Sequence, residues 1–224
     1  MKELAKEEAA ERVAKNAARL FNDVENPFVL NLGVGIPSQV SNFITNDNIF
    51  IQTENGMLGA GRLAKPGEEH PMLINASRRS VIETKGCVYL DSCLAFGMIR
   101  GGRVDATVLG AMQVDEKGNI ANWTVPGGNQ LGVGGAMDLI SGANKVVIAM
   151  IHTNKGRPKL VRQCSLPVTG FAEADIVITE MAVFEFKNNG FLLTKIAPDA
   201  QLSDIESLTE FAFAVANPLE IMLA

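Results

Sequence analysis

The sequence predicts an α/β protein whose sheet is mixed but largely parallel and is flanked by helices. Two observations predict this fold class. Short apolar runs alternate with segments of helical periodicity along the chain, as in parallel α/β sheets. Other runs are joined by turn sequences typical of hairpins, which places antiparallel pairs at the margin of the sheet. The 224 residues and 47% hydrophobic content are enough for a core, and residues 1–224 are predicted to form a single domain.

Helices are predicted where apolar residues recur at helical spacing or follow a start signal. The first is an amphipathic helix over residues 2–21, and Pro37 and Ser38 open a second that runs through Ile44. Further helices are predicted at 92–99 and at 136–140. Ser203 and Glu206 have the spacing of a capping box and predict the start of a last helix.

Strands are predicted at apolar runs bounded by turn residues. They cover residues 28–32, 49–53, 72–76, 88–90, 106–114, 145–151, 176–186 and 191–196. The turn at 115–118 leads into 119–125 and predicts one hairpin. The sequence Lys-Asn-Asn-Gly at 187–190 needs positive φ and predicts another.

Composition excludes several classes of function. A net charge of −5 gives no basis for neutralising a run of phosphates, so no nucleic-acid partner is expected. The charged N-terminal segment lacks the apolar core of a secretory signal, and no apolar run is long enough to cross a bilayer, so no membrane partner is expected. Cys87, Cys93 and Cys164 are odd in number and have no metal-ligand spacing. This favours a reduced, cytoplasmic protein without a metal site.

The densest basic cluster is formed by Lys155, Arg157, Lys159 and Arg162. Such a cluster meets the phosphates of a nucleotide-like ligand in some proteins. A solvated surface loop is the interpretation that the sequence favours.

Glu54 is the candidate nucleophile. The two histidines, His70 and His152, fit no metal-ligand motif, and nothing in their spacing supports a serine–histidine system, so chemistry that needs no base is favoured. A glutamate is ionised at neutral pH and attacks a thioester carbonyl unaided. Glu54 follows an apolar strand directly, where ligand sites form in open α/β sheets. The alternative is that Glu54 caps the loop or the following turn.

Two glycine-rich segments have alternative interpretations. Gly33 and Gly35 follow a strand, but the third glycine of a dinucleotide-binding fingerprint is missing, because Gln39 is not an equivalent. The glycine-rich loop at 127–135 leads into a helix and offers backbone N–H groups to an oxyanion. A tight connection between elements explains it equally well.

An ordered series of motifs resembles the β (small, catalytic) subunits of the family I, or 3-oxoacid type, coenzyme A-transferases. Within this family the sequence is similar to the small subunits of the enzymes that move CoA between acetate or butyrate and acetoacetate, and also to the C-terminal half of the fused succinyl-CoA:3-oxoacid transferases. The likeness runs from about residue 8 to about residue 222. The motifs are residues 31–37 (NLGVGIP), 52–61 (QTENGMLGAG), 99–102 (IRGG), 108–123 (VLGAMQVDEKGNIANW), 132–139 (GVGGAMDL) and 164–170 (CSLPVTG).

The resemblance implies a ping-pong reaction in which Glu54 carries CoA as a glutamyl thioester. It implies that Gly135 donates a backbone N–H near the thioester oxygen and that Asn31 lines the CoA channel. The other residues that it assigns to substrate or CoA binding are Gly33, Gly35, Asn55, Gly56, Arg78 and Gly134.

The resemblance also implies the α/β fold of the CoA-transferases, which sugar-phosphate isomerases share. It implies an α subunit as partner, in a heterodimer that pairs into an α2β2 assembly. No cofactor is expected, because the CoA thioester is a substrate. Acetyl-, butyryl- and succinyl-CoA are all candidate donors, with a 3-oxoacid such as acetoacetate as the other reactant.

The chain departs from the family pattern at two places. Thr53 stands where serine is common before the catalytic glutamate, and it keeps the hydroxyl. Ser77 and Arg78 stand where glycine and lysine are common, so the charge is kept but not the shape of an ammonium group. Two other functions stay open: a sugar-phosphate isomerase or deaminase, and a non-catalytic partner subunit.

Overall fold

The computed structural model describes residues 4–128 and 132–224. Residues 129–131 of the predicted glycine-rich loop and residues 1–3 lie outside the described residues. The helices in the described part are α1 (Lys6–Arg19), α2 (Ile36–Gln39), α3 (Ser92–Arg100), α4 (Ala136–Gly142) and α5 (Leu202–Leu208), with a 3₁₀ turn at Val40–Asn42. No helix in this part combines the length and the hydrophobicity needed to cross a bilayer.

Strands make up most of the remaining regular structure. Ten of them are β1 (Phe28–Leu32), β2 (Ile49–Thr53), β3 (Met57–Leu63), β4 (Val81–Tyr89), β5 (Ala106–Leu109), β6 (Gln113–Asp115), β7 (Ile120–Ala121), β8 (Val146–Ala149), β9 (Thr153–Asn154) and β10 (Arg157–Pro158). The other five are β11 (Leu160–Val161), β12 (Ile176–Ile178), β13 (Ala182–Lys187), β14 (Gly190–Ile196) and β15 (Phe213–Ile221).

The main sheet has the order β15-β14-β13-β12-β8-β5-β1-β2-β3-β4. Its five central strands, from β12 to β2, are parallel to one another. Antiparallel pairs flank them on both sides, at β12–β13–β14 and at β2–β3–β4. The prediction of a largely parallel mixed sheet with hairpins at its margin is confirmed. The carboxyl ends of the five central strands therefore share one edge of the sheet.

Two hydrophobic clusters cover the two faces of this sheet, because successive strand residues point to opposite sides. Val147 belongs to the first cluster and Ile148 to the second. Helix α1 packs on the first face through Val13, Ala14 and Ala17. Helices α3, α4 and α5 contribute the second layer, through Ile99, Leu139, Ile140 and Ile205. The two faces together bury the central strands, which is why these read as continuous apolar runs.

The predicted strand at 106–114 is wrong in its length. The main-sheet strand ends at Leu109, and residues 113–115 form β6 in a separate three-stranded sheet with the order β11-β6-β7. The carbonyl of Gly110 accepts a hydrogen bond from the Asn122 side chain at 3.2 Å, and the Met112 N–H donates to Ala121 at 2.9 Å. These bonds turn the chain away from β5 towards β7. Strands β6 and β7 form the predicted hairpin, but β7 spans only two residues.

The predicted strand at 72–76 is also wrong. The only ladder contact in this stretch is a bridge between Ile74 and Ser80. The side-chain oxygen of Asn75 accepts the N–H groups of Ser77 and Arg79, each at 3.0 Å, and closes a turn. The strand predicted at 88–90 is the end of the longer β4.

The run at 176–186 is two antiparallel strands and not one. The Thr179 hydroxyl accepts the N–H groups of Met181 and Ala182 at 3.2 and 3.1 Å, which reverses the chain between β12 and β13. The following turn is confirmed, with positive φ of 52° at Asn188 and 62° at Asn189.

The predicted capping box is displaced by two residues. Gln201 precedes α5, and its N–H donates to the Asp204 carboxylate at 3.0 Å, so Ser203 and Glu206 lie inside the helix. The helix predicted from Pro37 to Ile44 is shorter, since α2 ends at Gln39 and a 3₁₀ turn replaces its second half.

Candidate active site

Glu54 is the first residue after β2, at the shared edge where the central strands end. Its side chain is half-buried. The next residue, Asn55, is exposed, and Gly56 closes the turn by donating its N–H to Thr53 at 3.0 Å. Gly56 has a φ of 122°, and a Cβ there would lie 2.2 Å from the Leu90 carbonyl oxygen, so glycine is required by the backbone itself.

A buried amide lies beside the Glu54 carboxylate. Asn31 in the neighbouring strand β1 is fully buried, and its Nδ2 lies 3.5 Å from Glu54 Oε2. The same amide donates to Gln52 Oε1 at 2.7 Å, and Gln52 donates in turn to the Ala95 carbonyl at 3.3 Å. On the other side, the Thr107 hydroxyl donates to Asn31 Oδ1 at 3.4 Å. Parallel strands β5, β1 and β2 therefore support one chain of polar side chains that leads to Glu54.

Gln52 and Thr107 belong to this polar chain, and they were not among the site residues predicted from the sequence. Both are fully buried, yet each stands inside a run that reads as apolar strand. A buried polar side chain needs a hydrogen-bond partner. A polar residue inside an apolar strand was therefore the sequence signal that could have indicated this polar chain.

Gly135 lies close to the Glu54 side chain. A Cβ at Gly135 would be 3.3 Å from Glu54 Cγ and 3.4 Å from the Phe96 ring. Its φ of −85° is ordinary, so a side chain here would be opposed by close neighbours, which would have to shift by a few tenths of an ångström, and not by backbone conformation. Gly135 immediately precedes α4, and no described residue accepts a hydrogen bond from its N–H. The neighbouring Gly134 has a φ of 56° with open space around it.

Helix α4 holds Gly135 in place by packing closely on α3. A Cβ at Gly142 would lie 2.4 Å from the Ile99 carbonyl oxygen, so the two helices are in backbone contact. An ion pair between Arg100 and Asp138 at 2.6 Å joins them on the surface. The contact fixes the distance between Phe96 on α3 and Gly135 before α4.

The remaining predicted binding residues differ in burial and in their contacts. Gly33 is closely packed against the end of β5. Its N–H donates to the Val108 carbonyl at 2.8 Å, and a Cβ at Gly33 would lie 2.9 Å from the Leu109 side chain. Gly35, with a φ of 87°, opens α2 and has free space beside it. Asn55 donates its side chain to the Ile74 carbonyl at 2.9 Å. Arg78 is exposed at a φ of 59° and forms no ion pair among the described residues.

Neither histidine contacts Glu54 in the described structure. His152 is fully buried, and its two ring nitrogens form hydrogen bonds with the hydroxyls of Thr179 and Thr209 at 2.9 and 3.2 Å. Burial lowers the pKa of His152 to about 4, so the ring is neutral at pH 7. His70 is exposed and accepts the Met72 N–H at 3.3 Å. The site contains no imidazole base.

The buried neutral His152 predicts a loss of stability in mild acid. The unfolded chain protonates this group near its ordinary pKa of 6.5, and the folded chain only near about 4. The unfolded state thus binds more protons as the pH falls through this window, which costs up to about 3 kcal/mol of unfolding free energy. Urea unfolding of wild type and of His152→Gln measures it. We expect a shallower pH dependence in the variant, and equal slopes would contradict the assignment.

Two of the three cysteines are poor candidates for a nucleophile. Burial raises the pKa of the Cys164 thiol to about 12 and also raises that of Cys87. Cys93 is exposed on α3. The first two thiols are therefore poorly ionised at neutral pH.

The sequence matches the family model described as Coenzyme A transferase over residues 11–207. The chain is 42% identical over 210 residues to the probable coenzyme A transferase subunit beta of Bacillus subtilis, covering 93% of this chain and 95% of that protein. It is 41% identical over 214 residues to the acetate CoA-transferase subunit beta of Escherichia coli, covering 95% and 96% of the two chains.

A solved structure of an acyl-CoA transferase has the same fold. The structure superposes on the acyl-CoA transferase YdiF of E. coli O157:H7, solved as a thioester complex with CoA, with a TM-score of 0.73 and 22% identity. The match covers 100% of this chain and 44% of that one, so it shows the shared fold of one part of a longer protein. With a family match over most of its length, the chain belongs to the coenzyme A transferase family.

Proposed function

We propose that the chain is the catalytic subunit of a transferase that moves CoA between a short-chain acyl-CoA and a 3-oxoacid such as acetoacetate. The reaction proceeds through a glutamyl-CoA thioester on Glu54. The observation that carries the proposal is the position of Glu54 at the end of β2, between the Asn31 amide and Gly135.

The first half-reaction needs no proton transfer. A carboxylate oxygen of Glu54 attacks the thioester carbonyl, the C–S bond breaks, and CoA leaves as a thiolate. The products are an acyl-glutamyl anhydride and the thiolate. The thiolate then attacks the glutamyl carbonyl of the anhydride, and the first acid leaves as its carboxylate. Glu54 now carries CoA as a thioester, which is consistent with a site that lacks a base.

The second half-reaction reverses these steps with a different acid. The incoming carboxylate attacks the glutamyl thioester and releases the CoA thiolate. The thiolate attacks the acyl carbonyl of the new anhydride and forms the new acyl-CoA. Glu54 is regenerated as a carboxylate, so charge and atoms balance over the cycle.

Asn31 and Gly135 have distinct roles in this cycle. The Asn31 amide, held by Gln52 and Thr107, orients the attacking oxygen and limits its rotation. The N–H of Gly135 stabilises the oxyanion that forms on the thioester carbonyl. Binding energy from the long CoA chain, remote from the reacting carbonyl, lowers the barrier further.

The partner and substrates follow from the relatives. Since the B. subtilis and E. coli proteins are named as beta subunits, we assign to this chain an α subunit that completes the site. An α2β2 assembly is the arrangement that the family resemblance implies. CoA thioesters are substrates and not resident cofactors, and acetyl-, butyryl- and succinyl-CoA are the candidate donors. The E. coli relative is named for acetate, which makes acetate the first acceptor to test.

Initial-rate kinetics test the double displacement. With acetoacetyl-CoA and acetate varied together, the α/β complex should give parallel double-reciprocal lines. Without any acceptor, the complex should release one acetoacetate per β chain and then stop. Converging lines, together with no release in the absence of acceptor, would contradict a covalent enzyme intermediate.

A further inference from the structure

Three buried polar side chains form a row across the central strands of the sheet. Asn31 on β1 pairs in register with Gln52 on β2 and with Thr107 on β5. All three side chains are fully buried. The next register partner, Val146 on β8, is apolar, so the row ends at Thr107 on this side. Burying polar groups costs free energy that apolar side chains would not cost, so a polar row inside an apolar sheet points to a role in function.

A backbone carbonyl fixes the orientation of both amides in this row. The Gln52 Nε2 group donates to the carbonyl of Ala95 on α3 at 3.3 Å. A carbonyl oxygen only accepts hydrogen bonds, so the Gln52 amide must turn its own oxygen towards Asn31. Asn31 Nδ2 donates to this oxygen at 2.7 Å, and the Asn31 oxygen accepts from the Thr107 hydroxyl at 3.4 Å. The nitrogen of the Asn31 amide therefore faces Glu54, and its oxygen faces Thr107.

The Asn31 amide has fewer N–H groups than acceptors around it. Its Nδ2 carries two hydrogens and lies 2.7 Å from Gln52 Oε1, 3.2 Å from the Gln52 main-chain oxygen and 3.5 Å from Glu54 Oε2. The shortest contact takes one hydrogen. The second hydrogen is shared between the Gln52 main-chain oxygen and Glu54. The contact with Glu54 is at the upper limit of hydrogen-bond length, so it is weak while Glu54 is a free carboxylate.

A shared hydrogen suits a residue whose charge changes during the reaction. The Glu54 carboxylate is a charged acceptor, whereas its oxygen in an anhydride or a thioester carries no full charge and accepts more weakly. The second hydrogen of Asn31 then returns to the Gln52 main-chain oxygen, so no buried donor is left without a partner. The weak bond to the free carboxylate has a further consequence, because strong stabilisation of the ground state alone would raise the barrier to attack.

We propose that Gln52 and Thr107 are positioning residues that hold the Asn31 amide with one N–H group shared between the nucleophile and a main-chain oxygen. Gln52 fixes the nitrogen side of the amide, and Thr107 fixes its oxygen side. Both side chains act through Asn31, since their hydrogen bonds go to Asn31 and to the Ala95 carbonyl. The proposal rests on the function proposed above and adds to it two residues that control the nucleophile.

Two substitutions at Thr107 separate the effect of the hydroxyl from that of packing. Thr107→Val keeps the branched shape and removes the hydroxyl, whereas Thr107→Ser keeps the hydroxyl and removes a methyl group. We expect Thr107→Val to lower kcat of the α/β complex about 3- to 10-fold, with KM for acetoacetyl-CoA unchanged. Thr107→Ser should keep kcat near the wild-type value, although it should unfold at a lower urea concentration. A purely structural Thr107 predicts the reverse order, with the greater loss of kcat in Thr107→Ser, and this result would overturn the proposal.

Gln52→Met tests the other side of the amide, and Gln163→Met, at an exposed glutamine after β11, is the matched control. We expect Gln52→Met to lower kcat about 10- to 100-fold at unchanged KM, and Gln163→Met to change neither. In an Asn31→Ala background, Gln52→Met should cost less than about 2-fold, because its effect passes through Asn31. Additive losses in this double-mutant cycle, or an unchanged kcat in both Gln52→Met and Thr107→Val, would refute the proposal. If Gln52→Met does not assemble with the α subunit, the two Thr107 variants decide.

A measurement on the Asn31 side chain itself does not depend on turnover. Its amide signal, assigned by its loss in Asn31→Asp, is followed by NMR in the α/β complex with an isotope-labelled β chain. We expect its hydrogens to exchange with water about 10-fold faster in Gln52→Met and in Thr107→Val than in wild type, because each variant removes a partner of the amide. Equal exchange rates would contradict the restraint on Asn31. If wild type transfers no CoA but the exchange rates differ as expected, the proposed function fails and the restraint on Asn31 stands.

Discussion

Glu54→Gln is expected to lower the turnover of the α/β complex by a factor of about 10⁴ or more. Glutamine has nearly the same shape as glutamate, so its side chain should occupy the same place beside Asn31 and Gly135. Its neutral amide is a poor nucleophile and cannot form the anhydride. The loss should appear in kcat for every acid tested, because both half-reactions pass through the same side chain. Steady-state rates on freshly prepared complex measure it.

Glu25→Gln is the matched control for this variant. Glu25 is exposed and lies before β1, away from the carboxyl ends of the central strands. Both variants should assemble with the α subunit, and Glu25→Gln should keep full turnover. A non-catalytic partner subunit would instead lose little activity with either change. Slow recovery of activity on storage of Glu54→Gln would indicate deamidation back to glutamate.

Gly135→Ala is expected to reduce kcat/KM roughly 10- to 100-fold, since small displacements of a nucleophile have effects of this size. The added Cβ would lie 3.3 Å from Glu54 Cγ, so the carboxylate must move by a few tenths of an ångström. The Phe96 ring lies 3.4 Å from the same Cβ position, so it too would be crowded by the methyl group. The backbone at Gly135 accepts alanine, so the loss should fall on activity more than on stability.

Gly190→Ala makes the same chemical change in open space. No heavy atom lies within 4 Å of its Cβ position, and it starts β14 far along the sheet order from β2. This control should keep wild-type kinetics. Equal kcat/KM values in Gly135→Ala and in wild type would mean that Glu54 has freedom to move, which would contradict the tight site described above.

Sequence patterns predicted the features that depend on local chemistry. The apolar run of β2 ends where Glu54 begins, because a carboxylate at this point is excluded from the core. The Lys-Asn-Asn-Gly turn was predictable because asparagine tolerates positive φ, and two asparagines adopt it. The pairing of parallel strands followed from helices alternating with apolar runs.

Other features depend on contacts between distant residues and were not predictable from local pattern. The strand expected at 106–114 is broken by the Asn122 side chain, which bonds to Gly110 from 12 residues away. Gln52 and Thr107 meet at Asn31 only because β5, β1 and β2 are adjacent in a particular register. Lys159, expected in a solvated loop, is half-buried, and its carbonyl accepts the N–H of Val114, which is remote in sequence.

Chemical trapping of the intermediate is the most direct test of the central claim. The α/β complex is incubated with acetoacetyl-CoA, reduced with borohydride, digested and analysed by mass spectrometry, with a sample lacking acetoacetyl-CoA as control. We expect the peptide that contains Glu54 to carry an alcohol in place of the carboxylate, only in the sample that received the thioester. An unmodified Glu54 in a complex that transfers CoA at its normal rate would contradict the assignment of this residue as the nucleophile.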